Sequence, residues 1–393
     1  MNAGTRAELG QAVVAGIVSA LVGWTAAFAV VLTGLRAVGA SQDEAASGLL
    51  VVTVVMGLGS LTFSLLTRTP VTMAWSTPGA ALLATATVPG GGYAAAVGAF
   101  VVAGALYLLT ALVAPLSRWV QLIPSSLANA MLAGVLLTLC IEPFRALADA
   151  PAAVGPVLLT WLVALRVARR WATPLALVTA VVVIVVTGSL GGAHADDLVP
   201  TLSWTTPHPD LAAAVAIGMP LYLVTMTSQN IPGVAVLASF GYPAPLRGVL
   251  AYAGATTVAT AGAGGFSTNL GAIASAIAAG PGAGPDPARR WVAGVSNGIT
   301  YLVLGASASV VTAVATAAPD GLLETVAGLA LIGAFASSAA TALADPDHRE
   351  AAALTFVVAA SGYVLGGVGA AFWSLLAGGL LLLVTRTARS TGG

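Results

Sequence analysis

The chain has 393 residues, 58% hydrophobic and only 7% charged, with a formal net charge of zero and a mean hydropathy of +0.97. That composition excludes a soluble domain of this size and makes lipid the solvent for most of the chain. Neutrality gives no reason to expect nucleic acid as a partner, and a single cysteine, Cys140, excludes a disulfide within the chain.

Crossing a bilayer core takes about 20 apolar residues, and the apolar runs between Arg, Asp, Pro and Gly punctuation number about fourteen. In chain order the predicted spans cover 11–35, 46–67, 71–88, 92–115, 119–140, 153–168, 172–190, 211–237, 246–263, 264–280, 291–317, 321–343, 350–366 and 368–385. The first run is too long for a signal-peptide core and has no small-residue cleavage site, so it is expected to remain as a span. Runs 71–88, 211–237 and 264–280 are broken by Pro, Gly, Ser, Thr and Asn and are expected to be poor continuous helices.

Every basic residue is an arginine. With the N-terminus in the cytoplasm, Arg6, Arg68, Arg118, Arg166, Arg169, Arg170, Arg247, Arg289, Arg290, Arg349, Arg386 and Arg389 lie on the inner side. Only Arg36 and Arg145 lie outside, and the 187–211 loop carries Asp196, Asp197 and Asp210 without an arginine. This bias is what the positive-inside rule predicts for fourteen spans with both termini cytoplasmic, as in a bacterial inner membrane.

Broken spans at matching places in two halves of a chain mark a transporter built from inverted repeats. Trp75-Ser76-Thr77-Pro78-Gly79-Ala80 lies in span three, and Phe266-Ser267-Thr268-Asn269-Leu270-Gly271-Ala272 in span ten, 266 − 75 = 191 residues later. Spans three and ten are equivalent in a seven-plus-seven repeat, and seven is odd, so the second copy enters from the opposite side. The expected halves are residues 1–190 and 191–393.

Thr77 before Pro78 is a sound N-cap with proline at the first helical position, after a stretch that favours extended backbone. Ser267 and Thr268 can cap a helix through Asn269 to Ala279 in the same way. Two half-helix N-termini would then face each other in mid-membrane, each worth about half a positive charge with free N–H groups attached, which suits an anion. The third broken span carries Thr227, Ser228, Gln229 and Asn230 between Pro220 and Pro232. Four polar residues in lipid surroundings should face a cavity or a partner helix, with Ser228 and Gln229 weighted highest.

No histidine lies in a span, and there is no metal-binding Cys/His cluster, phosphate loop or nucleophile elbow, so neither an enzyme, a metal site nor a cofactor is expected. Glu142 and Glu324 sit near span ends.

The stretches Ala74 to Leu82, Thr227 to Gly233 and Gly265 to Ile273 resemble the benzoate/proton symporter (BenE) family, a bacterial relative of nucleobase permeases and SulP anion transporters. The resemblance runs over essentially the whole chain. It implies an all-α polytopic fold of fourteen spans, with a core domain (11–115 plus 211–317) moving against a gate domain (119–190 plus 321–385), and a homodimer as the common assembly. It also implies a substrate held between the breaks of spans three and ten. Nucleobase permeases carry essential glutamates whose nearest counterparts here are Gln229 and Thr268, both neutral, which suits a carboxylate ligand instead.

The expected function is therefore import of an aromatic carboxylate, benzoate above all, with a proton. Ser76, Thr77, Gly79, Ser267 and Thr268 would surround the carboxylate, Ser228, Gln229 and Asn269 would add hydrogen bonds, and the ring would pack among Phe28, Tyr222 and Phe266. Competing readings are an uncoupled or exchanging anion transporter or channel, and a nucleobase-type solute:cation symporter.

Overall fold

The computed structural model describes residues 3–113, 124–187, 201–365 and 368–390. Arg118, His194, Asp196 and Asp197, the start of span five and the end of span seven lie outside them.

The first run folds as α1 (Ala3–Thr25) and α2 (Phe28–Ala37), broken at Ala26 and Ala27. Ser41 then starts α3 (Gln42–Thr67) with a complete capping box: its side chain accepts from Glu44 N–H, and Glu44 reaches back to the Ser41 N–H. Arg68 ends α3 in the left-handed region at φ 53°, and its guanidinium lies 4.1 Å from the centre of the Trp291 ring. The chain continues extended into strand β1 (Met73–Trp75), then α4 (Thr77–Ala84), α5 (Gly92–Leu112), α6 (Ser125–Asp149), α7 (Pro151–Val167) and α8 (Ala172–Val186).

The second half begins with α9, continuous over Leu211–Ser239. This corrects the expectation of an interrupted helix. Pro220 and Pro232 remove i→i−4 bonds, and the helix absorbs them by widening to π-turns at Ala214–Gly218 and Met226–Asn230 without breaking. Next come α10 (Leu246–Thr260), strand β2 (Thr268–Leu270), α11 (Ala272–Ala279), α12 (Trp291–Gly305), α13 (Ala308–Thr316), α14 (Leu322–Ala344), α15 (Arg349–Ala360) and α16 (Ala370–Ser390).

Among the described residues six helices are long and apolar enough to cross a membrane, or seven if α12 and α13, bent by 53°, form one span. The molecule is a mainly helical, polytopic membrane protein. Helix α3 packs on α12, α5 on α10, α1 on α12 and α6 on both α14 and α15. Two of these contacts are reciprocal glycine pairs. A Cβ on Gly57 would lie 2.9 Å from Gly298 O, and one on Gly298 2.6 Å from Gly57 O; Gly104 and Gly254 stand in the same relation at 3.0 and 2.7 Å. With no hydrophobic drive between helices in lipid, such close backbone approach supplies the packing.

Strands β1 and β2 pair antiparallel deep in the molecule, with Met73 opposite Leu270, Ala74 opposite Asn269 and Trp75 opposite Thr268. A two-stranded ladder away from water must have its outer edges satisfied, and polar side chains on the flanking helices do this. Ser60 Oγ on α3 accepts from Met73 N–H at 2.8 Å, Ser64 Oγ donates to Val71 O at 2.8 Å, and Asn230 Oδ1 on α9 accepts from Leu270 N–H at 3.0 Å.

The two strand-helix units are spaced 268 − 73 = 195 residues apart at their strands and 272 − 77 = 195 at their helices. The structural offset is therefore 195. The aromatic-Ser-Thr likeness at 191 aligns residues four positions out of register, because β2 carries the chain extended through Ser267, Thr268 and Asn269 before helix begins.

Candidate functional site

Helix α4 starts at Thr77, and its N-cap is Ser76, one residue earlier than the sequence suggests; Ser76 Oγ accepts from Gly79 N–H at 3.0 Å. Pro78, without an N–H, sits harmlessly in the first turn. Helix α11 starts at Ala272 behind Gly271, which has no side chain to cap it. Ser267 and Thr268 therefore do not cap α11, since strand pairing has taken them. Gly271 N–H donates to Thr72 O at 2.9 Å, and Thr72 Oγ1 lies 3.0 Å from Ser275 Oγ, so α11 is bolted to the start of β1.

Both N-termini open on one cavity of about 590 Å³. Thr77 and Pro78 front it from α4, Gly271, Ala272, Ile273 and Ala274 from α11, and Thr227, Ser228, Gln229 and Pro232 from α9. Val22 on α1, Ala26 at the break between α1 and α2, Leu132 and Leu136 on α6, and Ala330 and Leu331 on α14 supply an apolar wall, with Trp75 from β1. No Asp, Glu, His or Arg is among the residues lining it. The field inside comes from two helix ends, together about one unit of positive potential, and neutral hydrogen-bonding groups.

The sequence-expected residues divide into two groups. Thr77, Ser228 and Gln229 line the cavity. Ser76, Gly79, Tyr222, Phe28, Phe266, Ser267, Thr268 and Asn269 are buried behind it. Several of the second group join a hydroxyl network that holds α4 and the strands in place: Ser76 Oγ lies 2.6 Å from Thr225 Oγ1, Tyr107 Oη 2.9 Å from Ser267 Oγ, and Tyr222 Oη 2.6 Å from Thr110 Oγ1. A Cβ on Gly79 would stand 2.4 Å from Leu221 Cδ1, so this glycine lets α9 approach α4. Phe28 stacks on Trp24 at 5.0 Å, and Phe266 meets Phe100 edge-on at 6.3 Å. Thr268 Oγ1 and Asn269 Oδ1 have no hydrogen-bond partner among the described residues.

Burial along α14 orients the cavity. Thr325 to Leu329 are buried, whereas Gly333, Ala334, Ser337 and Thr341 are exposed and line the cavity. The opening therefore lies toward the end of the molecule where α14 finishes and α6 begins, and Asn129 on α6 stands on the same side.

The whole chain can be placed among known proteins. Residues 8–384 match the model of the benzoate membrane transport protein family, BenE. The chain belongs to that family. It is 35% identical to the inner membrane protein YdcO of Escherichia coli over 372 residues, 94% of each chain. It is 27% identical to the benzoate membrane transport protein of Acinetobacter baylyi over 374 residues, 95% of each. Among solved structures it shares the fold of the transmembrane domain of the cyanobacterial bicarbonate transporter BicA, with a TM-score of 0.60 at 14% identity, covering 94% of this chain and 97% of that one.

This BenE member is thus a membrane transporter and not an enzyme. Sequence reasoning missed the cavity-lining polar residues Asn129 on α6 and Ser337, Ser338 and Thr341 on α14, and also Tyr301. Small polar residues scattered along apolar helices are a pattern that interhelical hydrogen bonding produces equally well. It also missed Gly271, whose signal was a glycine directly ahead of an apolar helical run.

Proposed function

We propose that the protein imports an aromatic carboxylate, benzoate above all, across a bacterial inner membrane together with a proton. The observation that carries this reading is the shared opening of two half-helix N-termini on a charge-free cavity in a member of the benzoate membrane transport family. The carboxylate docks at the first turns of α4 and α11, Thr77, Ser228 and Gln229 add hydrogen bonds, and the ring lies against Trp75 and the aliphatic wall. Ser76, Gly79, Ser267, Thr268 and Asn269 hold the two helix ends in place, while Phe28, Tyr222 and Phe266 form the packed backing of that platform.

The rest of the architecture follows the same reading. Fourteen spans in two inverted repeats, residues 1–190 and 191–393, are supported by the constant 195-residue offset between the two strand–helix units. The core (11–115 plus 211–317) would rock against the gate (119–190 plus 321–385), and the cavity opening beside the end of α14 corresponds to the cytoplasmic face, with both termini on that side. A homodimer is the expected assembly.

A carboxylate entering against about 100 mV costs about 2.3 kcal/mol per charge, and a co-transported proton cancels it. The test is uptake of labelled benzoate into proteoliposomes, with uracil, sulfate and substituted benzoates as competitors. Benzoate uptake that an uncoupler collapses, and that only aromatic carboxylates compete, supports the proposal; uptake insensitive to the uncoupler would instead mark an anion exchanger or channel.

A further inference from the structure

Helix α11 begins at the cavity and ends against a buried cation. The last four carbonyls of a helix need partners from outside it. Gly280 N–H donates to Ala276 O at 3.1 Å, and Arg290, the residue before α12, donates from Nη1 to Ala279 O at 2.8 Å. The same guanidinium donates from Nε to Gly284 O at 2.8 Å. Gly284 has φ 123° and ψ 155°, a region open essentially to glycine alone, so this loop needs a glycine where its carbonyl meets the arginine.

Arg290 is 8% exposed and makes no ion pair with a described carboxylate. Its neighbour Arg289 is the opposite case, partly exposed and paired with Glu8 at 3.1 Å and Asp286 at 3.0 Å. A buried cation is costly unless something negative faces it. For Arg290 that is the carbonyl end of α11, worth about half a negative charge.

The consequence reaches the cavity. Helix α11 has eight residues, so its start lies about 12 Å from its end at about 1.5 Å per residue. A bare helix is a dipole, and its negative end offsets the attraction that its positive end exerts on an anion. With a full positive charge set on the negative end, α11 and Arg290 together carry a net charge of about +1. Helix α4 has no counterpart: neutral groups close its last turn, with Thr85 Oγ1 donating to Leu82 O and Ala86 N–H to Leu83 O, both at 3.0 Å.

We propose that Arg290 is a positioning residue for the transported anion, whose charge at the far end of α11 holds the first turn of that helix positive toward the cavity. This rests on the carboxylate reading above and adds a source for its field.

The experiment is equilibrium binding of labelled benzoate to purified protein, with melting temperature measured in parallel. Arg290→Gln should weaken benzoate binding on the order of fivefold to tenfold, the Coulomb effect of one charge about 12–15 Å away at an effective dielectric of about 20. Arg290→Lys keeps the charge but not the fork that spans two carbonyls, so it should melt lower yet bind benzoate within a factor of about two of the parent. Arg289→Gln removes the same formal charge from a paired, partly exposed position and should leave affinity unchanged. A merely structural Arg290 would make affinity follow the melting temperature. Arg290→Lys as weak as Arg290→Gln therefore overturns the proposal, and so does Arg290→Gln at parental affinity or Arg289→Gln with an equal loss.

If Arg290→Gln does not fold, Arg290→His is compared with the parent at about pH 5.5 and about pH 8, on either side of the imidazole titration. Comparison at each pH cancels the titration of Glu8, Asp286 and Tyr242, which face this region from α1, the loop and the end of α9. The deficit in affinity should be larger at the higher pH, where the imidazole is neutral, and an equal deficit at both overturns the proposal. A parent that binds no benzoate removes the carboxylate reading and this one with it, whereas a parent and an Arg290 series of equal affinity remove this one alone.

Discussion

Helices α4 and α11 are the same length, follow strands of the same length, and meet one cavity from opposite sides, yet their starts differ. In α4 the Ser76 side chain accepts from the Gly79 N–H of the first turn and is itself held by Thr225. In α11 the cap position is Gly271, and the next three residues front the cavity directly. One start is capped by the protein's own side chain, and the other has no side-chain cap. The pair teaches that two matching strand–helix units can present different helix starts to one cavity, and on the proposed reading the uncapped α11 would be the stronger of the two anion-facing ends.

The strongest way to break this comparison is to cancel the potential both ends supply. Gln229→Glu places a fixed negative charge in the cavity between them, and repulsion of a carboxylate about 5 Å away at an effective dielectric of about 20 is roughly 3 kcal/mol. Benzoate affinity at neutral pH should fall on the order of a hundredfold, read by equilibrium binding. Unchanged affinity would mean that the anion does not dock here.

Gly271→Ser sharpens the comparison by giving α11 the cap that α4 already has. Gly271 has φ −79° and ψ 105°, which serine adopts freely, and the new Cβ would sit 3.1 Å from Ala74 Cβ and 3.4 Å from Ala274 Cβ, so those methyls must yield slightly. A cap is worth about 1 kcal/mol. Thermal stability should hold or rise while benzoate affinity falls about fivefold, because the hydroxyl competes for the amides the ligand uses. Stability gained with affinity unchanged would remove α11 from the site.

The reciprocal change, Ser76→Ala, uncaps α4 and strips Thr225 of its buried partner. It should cost about 1–2 kcal/mol of stability, seen as a lowered melting temperature, with a smaller effect on affinity than Gly271→Ser.

Much of this arrangement is legible in the sequence. The apolar helices and the breaks near Pro78 and in the Gly-rich stretch before Phe266 follow from solvent and backbone chemistry that act locally. The register between the two halves does not. It depends on Met73 lying opposite Leu270, a long-range pairing with no local signature, and four residues of slip moved the expected second cap from Gly271 to Ser267 and Thr268. The same limit applies to the cavity lining: Ser228 and Gln229 stood out beside an amide in a four-residue polar cluster, whereas Ser337, Ser338 and Thr341 are small hydroxyls among alanines on α14 and acquire meaning only from the helix face that lines the cavity. The π-turns of α9 were hidden because Pro220 and Pro232 signal a disturbed helix without saying how the backbone absorbs them.

The smallest expected effect tests that register most directly. Thr268 is 3% exposed, pairs with Trp75, does not line the cavity, and its hydroxyl has no hydrogen-bond partner among the described residues. Thr268→Val keeps the shape and the preference for a strand while removing an unsatisfied polar atom, so stability should stay level or rise by up to about 1 kcal/mol. Benzoate affinity should remain within a factor of about two. A tenfold loss would instead mean that the Thr268 hydroxyl reaches the ligand in another state of the transport cycle, and the anion would then be held by β2 and not by the uncapped start of α11.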